Sequence, residues 1–103
     1  MIIIDFRETK ERIFRLKIEG HSKSAIKGED IVCAGVSALA QTLVSGCEAQ
    51  LNAEVSGKLE SGLCDIKISA NNENFEKLQA VCSVFKFGFR KLAEAYPKHI
   101  KLN

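Results

Sequence analysis

Two side chains with matched chemistry stand near the start of the chain, His21 and Cys33, twelve positions apart. An imidazole within reach of a thiol is the smallest pairing that makes a thiolate nucleophile, because the base draws off the proton that the sulfur must lose. Cys33 falls where the first turn of a helix is expected. A helix N-terminus presents unpaired N–H donors and a positive partial charge, both of which favour thiolate. Gly20 and Gly28 bracket the polar stretch between the two residues and provide hinge points for a loop that folds imidazole over the helix start. Each part has a plainer reading. A lone loop histidine is usually just exposed, the glycines can merely end elements, and Cys33 in Ile31-Val32-Cys33-Ala34 can be packed core. It is their conjunction that points to chemistry.

The neighbouring polar residues are more ambiguous. Asp30 either orients His21 as a third member or caps the helix; capping is favoured, since a cap belongs just before an apolar helical run. Ser37 lies one turn beyond Cys33 on the same side of the helix and either lines a pocket or bonds the backbone. Ser22 and Ser24 have no partner base at a diagnostic spacing, and His99, in a basic tail, is assigned no role.

The other thiols, Cys47, Cys64 and Cys82, each occupy an apolar position in the periodicity of their own segment, where free cysteine acts as a small hydrophobe. Gaps of 14, 17 and 18 residues between successive cysteines match no zinc pattern. No metal and no organic cofactor is expected.

The elements that must position the pair follow from hydrophobic period. Residues 1–7 and 12–20 alternate, with Ile2, Ile4, Phe6 and then Phe14, Leu16, Ile18 on one face, which predicts a hairpin. A helix is predicted from Glu29 or Asp30 to about Gln50, with the stripe Val32, Val36, Leu39, Leu43, Cys47. Its small residues, Ala34, Gly35, Ser37, Ala38 and Ala40, imply a close neighbour. Strands are predicted at residues 51–56 and 64–68 around a turn at 57–62. A second helix carries Phe75, Leu78, Cys82, Phe85, Phe89 and Leu92, with Asn71, Asn72 or Asn74 as its cap; Tyr96-Pro97 ends it before a short strand. The expected fold class is α+β: β-β-α-β-β-α-β order, with a mixed or antiparallel sheet packed with two long helices.

Composition limits the partners. The chain has 103 residues, 46% hydrophobic and 27% charged, which suits a single domain over residues 1–103. A net charge of +2 is too small to argue for nucleic acid, and the late basic residues fit a solvated helix face. The opening MIIIDF reads as a strand rather than a signal peptide, and no run is expected to approach transmembrane length. Unpaired thiols and the lack of an export signal lead to an expected cytoplasmic location.

The string Gly20-His21, Gly28, Asp30-Ile31-Val32-Cys33-Ala34 and Val36-Ser37-Ala38-Leu39 resembles the signature of Prp, the ribosomal-processing cysteine protease of Firmicutes and related bacteria. The similarity in size, leading hairpin and long second helix extends over nearly the whole chain. It implies a dyad with His21 as general base and Cys33 as nucleophile, with Gly20, Ser22, Gly28, Asp30, Ala34 and Ser37 as supporting or substrate-binding positions. It also implies removal of an N-terminal extension from a large-subunit ribosomal protein by a cut after an aromatic residue, by a homodimer with a mobile histidine-bearing loop. Ser22 stands where alanine is frequent, and residues 23 to 27 are unusually basic. Two readings of other classes compete: a non-enzymatic ribosome-associated binding module, and a redox sensor working through Cys33. Six phenylalanines and one tyrosine, mostly on apolar stripes, are poor material for RNA stacking, and Cys33 has no resolving thiol at short range.

Overall fold

Alternation along the first twenty residues produces two strands, β1 (Ile2–Glu8) and β2 (Phe14–Glu19), and the apolar periodicity that follows produces α1 (Lys27–Leu51). The second half repeats the plan with β3 (Glu54–Glu60), β4 (Leu63–Ser69), α2 (Phe75–Ala95) and a short β5 (Ile100–Leu102). The computed structural model describes residues 1–20, 27–60 and 62–103, and residues 27–30 as backbone alone. The order is the expected β-β-α-β-β-α-β. The sheet is mixed, in the order β3-β4-β2-β1-β5. Among the described residues, only the β1–β5 pair is parallel.

The register keeps one face apolar. Phe6, Leu16 and Ile66 align across three strands, as do Ile4, Ile18 and Cys64. These residues are all buried beneath the two helices, and Phe6 meets Phe89 of α2 edge to face at 6.0 Å. The opposite face carries Asp5, Lys17, Asp65 and Lys58 in one cross-strand row of alternating sign. Arg15 grips Asp65 through two hydrogen bonds of 3.0 and 2.9 Å. Those bonds, followed by its nearby positive charge, hold the Asp65 carboxyl below its ordinary value. Both groups are about one-third exposed, so the pair selects register more than it adds stability.

Helix–helix contact depends on missing side chains. A Cβ on Gly35 would touch Leu92 at 3.6 Å, and one on Gly88 would touch Leu39 at 3.4 Å. Leu39 and Leu92 are therefore half-buried at this seam, while Ala40 and Val44 join Val32, Val36, Leu43 and Cys47 in the core. Asn74 starts α2 without a side-chain cap. Instead its amide nitrogen donates to the Leu51 carbonyl at 3.0 Å, tying the start of α2 to the end of α1. Asn71 Oδ1 accepts from the Asn74 backbone N–H at 2.9 Å.

Four expectations are corrected. First, α1 begins at Lys27, ahead of Glu29 or Asp30. That places Gly28 inside the helix rather than at a loop hinge, Asp30 in its first turn rather than before it, and Cys33 in the second turn rather than the first. Second, Leu51 belongs to α1, because Asn52 adopts φ 54°, a left-handed conformation that asparagine tolerates and that stops a helix. Third, residues 57–60 continue β3 rather than turning. Gly57, at φ +120°, passes so close to the Asp65 carbonyl that no side chain fits. Fourth, Ile31–Leu51 is 21 residues at mean hydropathy 1.4, long and apolar enough for a membrane span by those measures; its inward stripe is occupied with the sheet.

Candidate active site

The site is assembled from one end of the sheet and one edge of α1. Gly20 ends β2 at φ +88°, and its N–H donates to the Gly62 carbonyl at 3.1 Å. That bond closes the β2 end against the start of β4. A Cβ on Gly20 would run into the Met1 carbonyl oxygen, so a glycine is required by both the backbone angle and the space. Above this end, α1 presents Cys33, Ser37 and Gln41, spaced four residues apart.

Together these elements enclose an open cavity of about 200 Å³. Its apolar lining includes Ile2, Ile18, Val36, Ala40, Leu63 and Cys64, and its rim includes Gly20, Leu59, Glu60 and Gly62. Ligand pockets for drug-sized molecules run from roughly 300 Å³ upward, so this cavity suits one side chain with its flanking backbone. That size fits a polypeptide substrate better than a large cofactor.

Of the expected site residues, the structure brings Gly20, Cys33 and Ser37 to one cavity. Ala34 is exposed on α1 and does not line it. His21 and Ser22 lie outside the described residues, as does the side chain of Asp30, and Gly28 is described as helical backbone alone. The α1 amides left unpaired by helix geometry belong to its first four residues, residues 27–30, one turn ahead of Cys33. The lining residues Gln41, Leu59, Glu60 and Gly62 were not anticipated. The helical interval 33–37–41 is a signal for Gln41; nothing local points to Leu59 or Glu60, which fall in the segment where the sequence predicts a turn.

Two cysteines reach the cavity, and their surroundings separate them. Cys33 is half-buried, whereas Cys64, Cys47 and Cys82 are buried. Burial, then the charge of Asp65, pushes the Cys64 thiol up to about 11. Burial, then Cys47 and Glu8, pushes Cys82 up to about 12. Both sulfurs stay protonated and inert at neutral pH. Mass spectrometry after brief iodoacetamide treatment at pH 8 should find Cys33 alkylated first, with the other three labelled only after denaturation.

A stability prediction follows from the same shifts. In the unfolded chain both thiols ionise near 9.0. The folded state favours the protonated form, so this contribution is complete below pH 9 and lost as pH rises through 11 and 12. Urea unfolding should show the wild type weakening across that window, and Cys82→Val should show a shallower decline. An identical slope in both proteins would contradict this assignment.

Comparison with known proteins gives a consistent picture. A family model described as Cysteine protease Prp matches residues 1–101. The crystal structure of SMU.848 from Streptococcus mutans is similar at 32% sequence identity and a TM-score of 0.80, covering 100% of this chain and 92% of that one. The essential ribosomal processing protease Prp from S. aureus, in complex with a substrate peptide, is similar at 22% identity and a TM-score of 0.79, covering 100% and 98%. The same protease with a covalently linked product peptide is similar at 23% and 0.77, with the same coverage. A search of curated proteins finds no match.

Proposed function

The chain belongs to the Prp family of cysteine proteases, and we propose that residues 1–103 form one protease domain in which Cys33 is the nucleophile and His21 the general base. Its substrate in this reading is the N-terminal extension of a large-subunit ribosomal protein, cut after an aromatic residue. The observation that carries the assignment is that Gly20 and Cys33 line the same cavity, and His21 is bonded directly to Gly20. The S. aureus relative described as a ribosomal processing protease supports the choice of substrate.

In the reaction, His21 takes the proton from Cys33 and the sulfur attacks the scissile carbonyl carbon, moving the carbonyl π electrons onto oxygen. Unpaired first-turn amides of α1 are the nearest helical donors for that oxyanion; one such donor is typically worth about 2.7–4 kcal/mol. As the intermediate collapses, the C–N bond breaks and imidazolium returns its proton to the leaving amine. Water, deprotonated by His21, then cleaves the thioester and releases the carboxylate product and free Cys33. The apolar cavity floor accepts the aromatic side chain, and no cofactor enters any step. The setting is the cytoplasm, where ribosomes assemble, and no direct nucleic-acid contact is needed.

The test is a synthetic peptide spanning the extension and the first residues of the mature ribosomal protein. Wild-type protein should cut it once, after an aromatic residue, and intact mass spectrometry should capture an acyl adduct on Cys33. His21→Ala should lose cleavage at all times; unchanged cleavage would remove His21 from the dyad.

The proposal includes a homodimer. Gly35, Ala38 and Leu39 on α1 line one groove with Gly88 and Leu92 on α2, and helical spacing sets Ile31 one turn before Gly35, Val84 one turn before Gly88 and Phe87 one turn before Lys91, which also lines that groove. Ile31, Val84 and Phe87 are 61%, 67% and 56% exposed. An apolar surface spanning both helices is the face a second copy would cover. Phe87→Glu should sediment as a monomer with an unchanged circular-dichroism spectrum. A dimer persisting in this variant would exclude Phe87 from the interface.

A further inference from the structure

The cavity has two unlike walls. One is the α1 edge, with Cys33, Ser37 and Gln41; the other includes Leu59 and Glu60 of β3 with Gly62 and Leu63. Gln41 lies eight residues after Cys33. At a rise of 1.5 Å per residue, that puts the two α-carbons about 12 Å apart along the helix axis. An extended peptide advances about 3.3 Å per residue, so the same span is covered by three to four substrate residues.

We infer that Gln41 is a positioning residue that hydrogen-bonds the substrate backbone three to four residues from the scissile bond, with the peptide laid extended along α1 between that helix and the end of β3. This rests on the protease reading above. A peptide entering the cavity gives up water from its backbone N–H and C=O groups, which then need protein partners. The other side chains available are limited. The floor is apolar, Ser37 is short and Glu60 only accepts. The Gln41 carboxamide can donate and accept at once, matching the N–H and C=O of one substrate residue. It has no hydrogen-bond partner among the described residues and is exposed. Leu59, 51% exposed on the facing wall, offers apolar cover to a substrate side chain on that side. A peptide crossing α1 at a right angle would pass Cys33 without meeting Gln41, so the inference also fixes a direction.

The test compares wild-type protein and Gln41→Ala on peptides shortened stepwise from either end. For wild type, lengthening one side from two residues to four should raise kcat/KM about tenfold, mainly through KM. Gln41→Ala should lose that increment, its kcat/KM rising little as that side is lengthened from two residues to four. Replacing the fourth-residue amide with an ester should weaken the wild type and leave Gln41→Ala unaffected. Equal losses on short and long peptides, or a full length dependence in Gln41→Ala, would overturn the inference and leave the protease reading standing. Failure of wild type to cut the longest peptide would overturn both.

Discussion

Cys33→Ala should reduce kcat/KM for peptide cleavage on the order of 10⁴-fold or more, because it deletes the atom that forms the covalent bond and no other reactive thiol can replace it. Cys64 lines the same cavity, but its sulfur is buried, points toward the Leu16 carbonyl at 4.0 Å and holds its proton up to about pH 11. Cys33→Ser should fail nearly as badly, since a hydroxyl without strong activation is a far weaker nucleophile than a thiolate. The two cavity cysteines should therefore respond in opposite ways. Cys33 is half-buried at the margin of the core, so its loss should barely move the urea midpoint. Cys64→Ala should retain activity and lose about 1–2 kcal/mol of stability, as expected for a small buried side chain. Timed chromatography of the cleaved peptide and urea titrations would measure both arms. Activity surviving in Cys33→Ala would refute the nucleophile assignment.

Gly20→Ala should damage both the fold and the site. The site holds φ +88°, costing an alanine about 1–2 kcal/mol. The new methyl would also overlap the Met1 carbonyl, and overpacking of this kind costs about 1–3 kcal/mol more. Neither conflict relaxes easily, because the Gly20 N–H is held by Gly62 and the Ile2 N–H by His99 on either side. Together these effects remove about 2–5 kcal/mol from a total stability that for small proteins is about 5–15 kcal/mol. Cleavage should fall further than stability, since Gly20 lines the cavity and carries His21. Gly88→Ala is the comparison: its methyl would meet only the movable end of Leu39 at 3.4 Å, and it should be mild. Equal tolerance at the two positions in urea titrations would refute this account.

The elements whose pattern is local were legible in the sequence. The alternation of Phe14, Leu16 and Ile18 and the helical spacing of Phe75, Leu78, Cys82 and Phe89 predicted both type and buried face, as found. Boundaries failed where one residue's backbone angle decides, as at Asn52 and Gly57. Strand order depends on pairing between distant segments, and nothing in the three residues of β5 announces that they lie beside β1. The site was readable in proportion to helix geometry: Cys33 and Ser37 were placed together by spacing alone, and Gln41 is the next step of that interval. The opposite wall was hidden because Leu59 and Glu60 reach the cavity only after β3 pairs with β4.

The β1–β5 pair has a consequence for how the chain is made. β1 is made well before β5, yet among the described residues its outer edge is covered by Ile100–Leu102, some ninety residues further along the sequence. A nascent chain can close the β1–β2 hairpin early, but the parallel contact must wait until residues 100–102 have been made. Replacing Ile100, which is 3% exposed, should therefore speed unfolding far more than it slows refolding.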